Sequence, residues 1–184
     1  MLGPPPHLPF DVTELDPAWA GIVMGAESHL VPGRLAKGSR CFGARFGHEL
    51  VGYGWLSTKP EWIGEVQLEI APVAREAYVW NCVTLAPHRR KGVFRSVVIS
   101  LVAKAAEEGL ARLWIASSGE LGQNSLTKAG FAPVVHFDTA TRFGLRWLKV
   151  EPVDGVDPGL ATSAREAMSM KPGSSLRISR QRRH

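Results

Sequence analysis

Residues 76–117 read EAYVWNCVTLAPHRRKGVFRSVVISLVAKAAEEGLARLWIAS, and the fold turns on this stretch. Glu76–Leu85 alternates over an extended length, with Ala77, Val79, Asn81, Val83 and Leu85 predicted on one face and Tyr78, Trp80, Cys82 and Thr84 on the other. Both faces are largely apolar, as in a central strand. Ala86–Lys91 is a short basic loop. From Gly92 to about Glu108, Val93, Phe94, Val97, Val98, Leu101, Val102 and Ala105 recur at helical spacing, and Gly109 stops the helix. Arg112–Ser117 is a short apolar run suited to a buried strand. A strand, a helix and a second strand in this order call for one parallel pair with a right-handed crossover.

Upstream the pattern is antiparallel. Phe10–Glu14 is a first candidate strand. Asp16-Pro17 opens a helix predicted to reach about Glu27, because Asp caps a helix and Pro suits its first turn. His29–Gly38 is read as a loop or a short helix. Cys41–Phe46 and Leu50–Ser57 form a hairpin across Gly47-His48. Glu65–Ile70 alternates as a half-exposed strand. Downstream, Gln123–Ala129 is a short helix ended by Gly130, and Ala132–Asp138 with Leu145–Val150 closes as an antiparallel pair. The fold class expected is α+β: a mixed, mostly antiparallel sheet of about six to seven strands flanked by helices. Residues 1–150 form one domain in this reading, with its core at about 40–150, and the Pro- and Gly-punctuated 151–184 reads as a flexible basic tail, with room for one short helix over Ala161–Met170.

The net charge of +5 is unevenly placed. Residues 1–164 hold sixteen basic and sixteen acidic side chains, whereas 165–184 holds six basic and one acidic. The charge excess describes the C-terminal stretch alone, so it does not argue for nucleic-acid binding by the folded body. No apolar run approaches the roughly 20 residues that cross a bilayer, and the N-terminus has no basic start followed by an apolar stretch. A cytoplasmic protein without a membrane partner is expected. Cys41 and Cys82 are the only cysteines, and a reduced pair suits that compartment. The histidines are scattered without metal-ligand spacing, so no metal is expected.

The loop after the central strand carries the chemistry. A helix N-terminus exposes unpaired N–H groups and partial positive charge, and several such groups pointing one way hold an anion. Gly92 lets a phosphate approach the backbone without a Cβ in the way, and Arg89, Arg90 and Lys91 add charge at the same place. A pyrophosphate, as in coenzyme A or a nucleotide, is the ligand this favours. A solvated basic turn with a capping glycine is the plainer alternative. The glycine patterns of a P-loop and of a dinucleotide fold are both missing.

Arg89-Arg90-Lys91-Gly92-Val93-Phe94 resembles the pyrophosphate motif Arg/Gln-x-x-Gly-x-Gly/Ala of the GNAT superfamily of acyltransferases, with Phe94 in place of the last small residue. Asn124-Ser125-Leu126-Thr127-Lys128-Ala129-Gly130-Phe131 is similar to the family's later motif of an Asn, a short helix and a Gly-Phe pair. The resemblance implies a splay between the strand ending at Leu85 and the one beginning at Arg112, with the pantetheine arm of acetyl-CoA, or another acyl-CoA, lying in it. It implies that backbone groups of Val83 and Leu85 pair with that arm and polarise the thioester. The amides of Arg90, Lys91, Gly92, Val93 and Phe94, with Arg89, would hold the pyrophosphate, and Asn124 would contact the cosubstrate further on. The implied reaction is direct acyl transfer to a primary amine in a ternary complex. A catalytically silent CoA-binding sensor or scaffold is the alternative.

Amine attack needs a proton acceptor. Glu69, on the polar side of its strand, is the first candidate and Glu76 the second; for each, an exposed strand carboxylate is the commoner role. Many family members protonate the departing thiolate with a Tyr where this chain has Leu126, leaving Ser125 as a nearby weak donor. Cys82 and Tyr78 read as core residues, and His136 as structural. Trp55, Trp62, Trp80 and Phe46 are read as core aromatics, with an acceptor pocket as the alternative. The acceptor expected is a small-molecule amine or amino sugar, with a protein amine as the alternative. A nucleic acid is not expected, and a homodimer is left open.

Overall fold

The computed structural model describes residues 9–64, 68–171 and 174–180. It divides into two compact units: Met1–Lys59 with Ala74–Phe131, and Pro60–Val73 with Ala132–His184.

The first unit holds a five-stranded sheet in the order β1-β2-β3-β6-β7. Its strands are β1 (Asp11–Glu14), β2 (Arg40–Phe46), β3 (Glu49–Ser57), β6 (Glu76–Thr84) and β7 (Arg112–Ile115). The first four pair antiparallel, and β6 with β7 is the parallel pair. Helix α1 (Pro17–Met24) starts where Asp16 accepts the Trp19 N–H at 2.9 Å, with Pro17 in its first turn. It stops earlier than the sequence predicts: Gly25 takes φ +57, the chain tightens into a 3₁₀ stretch over Gly25–Leu30, and α2 (Val31–Ala36) follows. The region read as a loop or short helix is thus largely helical.

Helix α3 (Val93–Glu107) buries Val93, Val97, Val98 and Leu101. Val93, Val97 and Leu101 join Phe42, Ala44, Val51, Leu56, Ala77 and Val79 in the core. Each Val, Leu or Phe of this set contributes about 1.5–3 kcal/mol on burial. Close approach depends on two glycines of β3. A Cβ on Gly52 would lie 2.7 Å from both the Val83 carbonyl and Val93 Cγ1, and one on Gly54 would lie 2.8 Å from Cys82 Sγ and 2.9 Å from Val97 Cγ1. Helix α4 (Glu120–Lys128) ends in a Schellman turn: Gly130 takes φ +90, its N–H donates to Thr127, and the Phe131 N–H donates to Leu126. The Gly-Phe pair has that local cause.

The second unit contains a two-stranded sheet, β4 (Glu61–Ile63) with β5 (Leu68–Ile70), and a three-stranded sheet in the order β10-β9-β8. Strands β8 (Val135–Arg142) and β9 (Leu145–Pro152) form the closing hairpin, extended by β10 (Leu176–Arg180). Helix α5 (Pro158–Ala167) is capped by Asp157, which accepts the Leu160 N–H at 3.0 Å. Helix α5 and strand β10 both lie within 151–184, the stretch read from sequence as a tail, and α5 overlaps the short helix allowed there. Leu176 and Ile178 alternate with polar residues in strand fashion, and Arg177 donates to the Met168 carbonyl at 2.7 Å and to that of Ser169 at 3.2 Å, closing the end of α5. Of the strand expected over Glu65–Ile70, residues 65–67 lie outside the described residues.

Candidate acyl-transfer site

Strand β6 holds the site together. Its ladder with β7 runs from Glu76 opposite Arg112 to Val79 opposite Ile115 and stops there. Residues 116–118 leave the sheet, while β6 continues to Thr84 with β3 on its other side. Between Trp80 and Thr84 the β7-facing edge of a central strand is therefore open, the splay that the loop motif implied. Past β7 the chain turns into α4, where Gly122 packs so close to Ser117 that any side chain there would collide with its hydroxyl.

Opposite the open edge β6 bulges. Trp80 pairs with Trp55 and Val83 with Tyr53, so Asn81 and Cys82 together face Gly54. Asn81 takes φ +43, a left-handed conformation that Asn tolerates better than most residues. The extra residue shifts every side chain beyond it to the other face. Cys82, expected beside Tyr78 and Trp80, packs instead against the α3 core, a correction to the simple alternation.

The bulge and ladder also set the direction of the backbone groups of Val83 and Leu85. The Leu85 N–H donates to the Val51 carbonyl at 3.0 Å. Val83, two residues earlier, turns its carbonyl toward Gly52 of β3. Peptide groups alternate in direction along a strand, so Val83 and Leu85 face β3, and the N–H of Thr84 faces the open edge.

The loop between β6 and α3 combines left-handed backbone with basic side chains. After a short 3₁₀ turn over Ala86–His88, Arg90 takes φ +65 and Gly92 takes φ +86. Residues of this handedness curl successive N–H groups into a concave nest. Gly92 caps α3 with no side-chain hydrogen bond, and the space where its Cβ would sit is open. Arg89, Arg90 and Lys91 are exposed around it. The Val93 side chain is buried in the core, which leaves its backbone for the loop, and Phe94 is half-buried. His88 contacts Glu49 Oε1 at 3.1 Å, anchoring the turn to β3. Asn124 is exposed on α4, and Ser125 donates back to the Leu121 carbonyl at 2.9 Å. Leu126, in the place of the family's Tyr, is buried.

The two carboxylates part ways. Glu76 is buried, and each of its oxygens is engaged: Arg112 donates to Oε1, and the Trp114 indole donates to Oε2 at 2.7 Å. These contacts clamp the closed end of the parallel pair. Glu69 lies on β5 of the second unit, opposite Trp62. No group of three or more metal-ligating side chains occurs among the described residues.

Sequence reading missed an aromatic and cationic cluster on the other side of the bulge. Trp55 and Trp80 lie 5.9 Å apart, and the Arg34 guanidinium sits 5.1 Å and 4.5 Å from their ring centres. Tyr53 is buried nearby, and desolvation, with Glu27 adding to it, pushes its hydroxyl up to about 12. The available signal was Asn81, a polar residue interrupting an apolar strand.

A strand splayed from its parallel neighbour, beside a basic glycine loop opening a helix, is the arrangement that the sequence resemblance implied. The sequence profile of the Acetyltransferase (GNAT) family matches residues 13–131, and the chain belongs to that family. Among solved structures it is similar to a ribosomal-protein-alanine N-acetyltransferase from Brucella melitensis biovar Abortus 2308, at 20% identity and TM-score 0.52 over 73% of this chain and 99% of that one. It is likewise similar to glucosamine-6-phosphate N-acetyltransferase from Arabidopsis thaliana, at 10% identity and TM-score 0.51 over 73% and 98%. A Trypanosoma brucei acetyltransferase aligns at 13% identity and TM-score 0.50 over 73% and 98%. These likenesses are of fold. None of the curated proteins matches the sequence significantly.

Proposed function

We propose that the protein transfers an acetyl group from acetyl-CoA, or a related acyl group from its CoA thioester, to a primary amine by direct attack in a ternary complex. The observation that carries this reading is the open β6 edge from Trp80 to Thr84, running into the Arg90–Gly92 nest. In this reading the amides of residues 90–94 and the side chains of Arg89, Arg90 and Lys91 hold the pyrophosphate. The Thr84 backbone pairs with the pantetheine arm, taking the part first given to Val83 and Leu85. Asn124 contacts the cosubstrate beyond the splay. Acetyl-CoA supplies an activated carbonyl, and strand amides at the open edge stabilise the oxyanion that forms as the amine adds.

The amine's proton goes to water or to a carboxylate. Glu69 and Glu76, the candidates read from sequence, are the carboxylates to test by substitution. With Leu126 in the Tyr position, the thiolate takes its proton from water, with Ser125 as a weak alternative. The acceptors to screen first are small-molecule amines and amino sugars, then protein amines. Two cysteines outside any disulfide, Cys41 and Cys82, suit a reducing compartment such as the cytoplasm.

Leu126 also favours a second reading, a CoA-binding module without turnover. Calorimetric titration with acetyl-CoA tests the site: micromolar binding, about −8 kcal/mol, that vanishes in Gly92→Glu is expected. Absence of binding to the wild-type protein would overturn the proposal. Thioester consumption with the amine panel then separates enzyme from sensor.

A further inference from the structure

Helix α2 reaches the bulge through one side chain. With the Asn81 carboxamide oriented so that its oxygen faces Arg34, that oxygen lies 3.0 Å from both Nη1 and Nη2 of the guanidinium. The same guanidinium lies over Trp80 and Trp55 and is 4.0 Å from Glu27, and Nη1 is 3.8 Å from the Met24 sulfur. The platform beneath it is itself fixed, because the Trp80 indole donates to Ser57 Oγ at 2.9 Å and Ser57 Oγ meets Ser39 Oγ at 2.7 Å.

We propose that Arg34 is a positioning residue for acyl transfer: its fork on Asn81, braced on Trp55 and Trp80, holds the β6 bulge and so sets which strand amides face the open edge. This rests on the acetyl-CoA reading above. The physical reason is register. One extra residue between Trp80 and Val83 reverses the direction of every later peptide group. With the bulge, the Thr84 N–H faces the splay. Without it, the Val83 N–H would face the splay and Thr84 would turn to β3. Asn81 is left-handed, a conformation that costs a non-glycine residue free energy, and the charge-assisted fork offsets that cost. A planar guanidinium reaches one oxygen with two nitrogens while stacking on rings, which an ammonium cannot do.

The test uses full-length protein, [1-¹³C]acetyl-CoA and CoA, with Arg34→Met, Asn81→Ala and the double variant. In the wild type, a bound thioester carbonyl held by a strand amide gives a ¹³C resonance moved downfield from free acetyl-CoA. Arg34→Met and Asn81→Ala are each expected to lose most of that move while binding CoA within about twofold of wild type. The double variant is expected to lose no more than either single one, as for two members of one contact. Asn81→Ala removes only a half-buried side chain, so it keeps the test decisive if Arg34→Met folds poorly. An unchanged carbonyl resonance in Asn81→Ala, additive losses, or no downfield move in wild type that binds acetyl-CoA would overturn the inference. Failure of the wild type to bind acetyl-CoA at all would instead overturn the reading on which it rests.

Discussion

Glu76 and Arg112 face each other as the first pair of the parallel ladder and are joined by a hydrogen-bonded ion pair, while the last pair, Val79 with Ile115, comes only three positions later. The splay thus has a pinned end and a free end on the same two strands. The clamp lies at the end opposite to where β6 and β7 part.

The clamp has a stability consequence. Glu76→Ala leaves Arg112 without its partner and strands the Trp114 indole, and chemical denaturation is expected to show a loss of about 3 kcal/mol. If Glu76 were instead the proton acceptor, the variant would keep its stability and lose turnover.

At the anion loop, Arg89→Ala is expected to weaken acetyl-CoA binding by about 1–3 kcal/mol. The melting temperature without ligand should stay that of the wild type, because Arg89 is exposed. Calorimetry of the variant beside wild type reads both quantities. An equal affinity would remove Arg89 from the pyrophosphate site.

The close contact of β3 with α3 gives a packing test. Gly54→Ala places a methyl group 2.8 Å from Cys82 Sγ and 2.9 Å from Val97 Cγ1, which overpacks the core by about 1–3 kcal/mol. Adding Cys82→Ala removes one of the two obstacles and should recover part of the loss in a urea titration. No recovery would mean that Val97 alone sets the limit.

Alkaline pH should destabilise the fold. Burial raises the Cys41 thiol from 9.0 to about 12 and the Tyr53 hydroxyl from 10.0 to about 12. Between those values the unfolded chain has released protons that the folded one keeps, so stability is full below about pH 9 and falls as pH rises toward 12. At pH 11 the two groups together should lower unfolding free energy by about 3–4 kcal/mol relative to pH 8. Native Cys41 should resist alkylation at pH 8, which mass spectrometry after iodoacetamide treatment would check.

Strand β10 supplies the last test. Truncation after Lys171 removes the partner of β9 and the Arg177 contacts at the end of α5. It should lower the melting temperature or produce aggregation through the bared edge. A truncated chain as stable as the full one would restore the flexible-tail reading.

Much of this was legible in the chain itself. The 3.6-residue repeat from Val93 to Ala105, the Asp16-Pro17 cap and the Gly92 and Gly130 turns are local, because each follows from what one segment's backbone permits. So the parallel pair, the basic loop at a helix N-terminus and the GNAT resemblance could be read in order along the sequence. Tertiary structure decided what lies between segments. Nothing in Asn81-Cys82 announces that both residues face the single Gly54, yet that bulge turns Cys82 toward α3 and Thr84 toward the splay. Glu76 could be judged a base or a clamp only once Arg112 and Trp114 stood beside it. Arg34 lay in a stretch read as a loop or a short helix, and the role proposed for it depends on two tryptophans and an asparagine from distant strands. Strand register and ion pairing are set by partners far apart in sequence, and no local propensity encodes them.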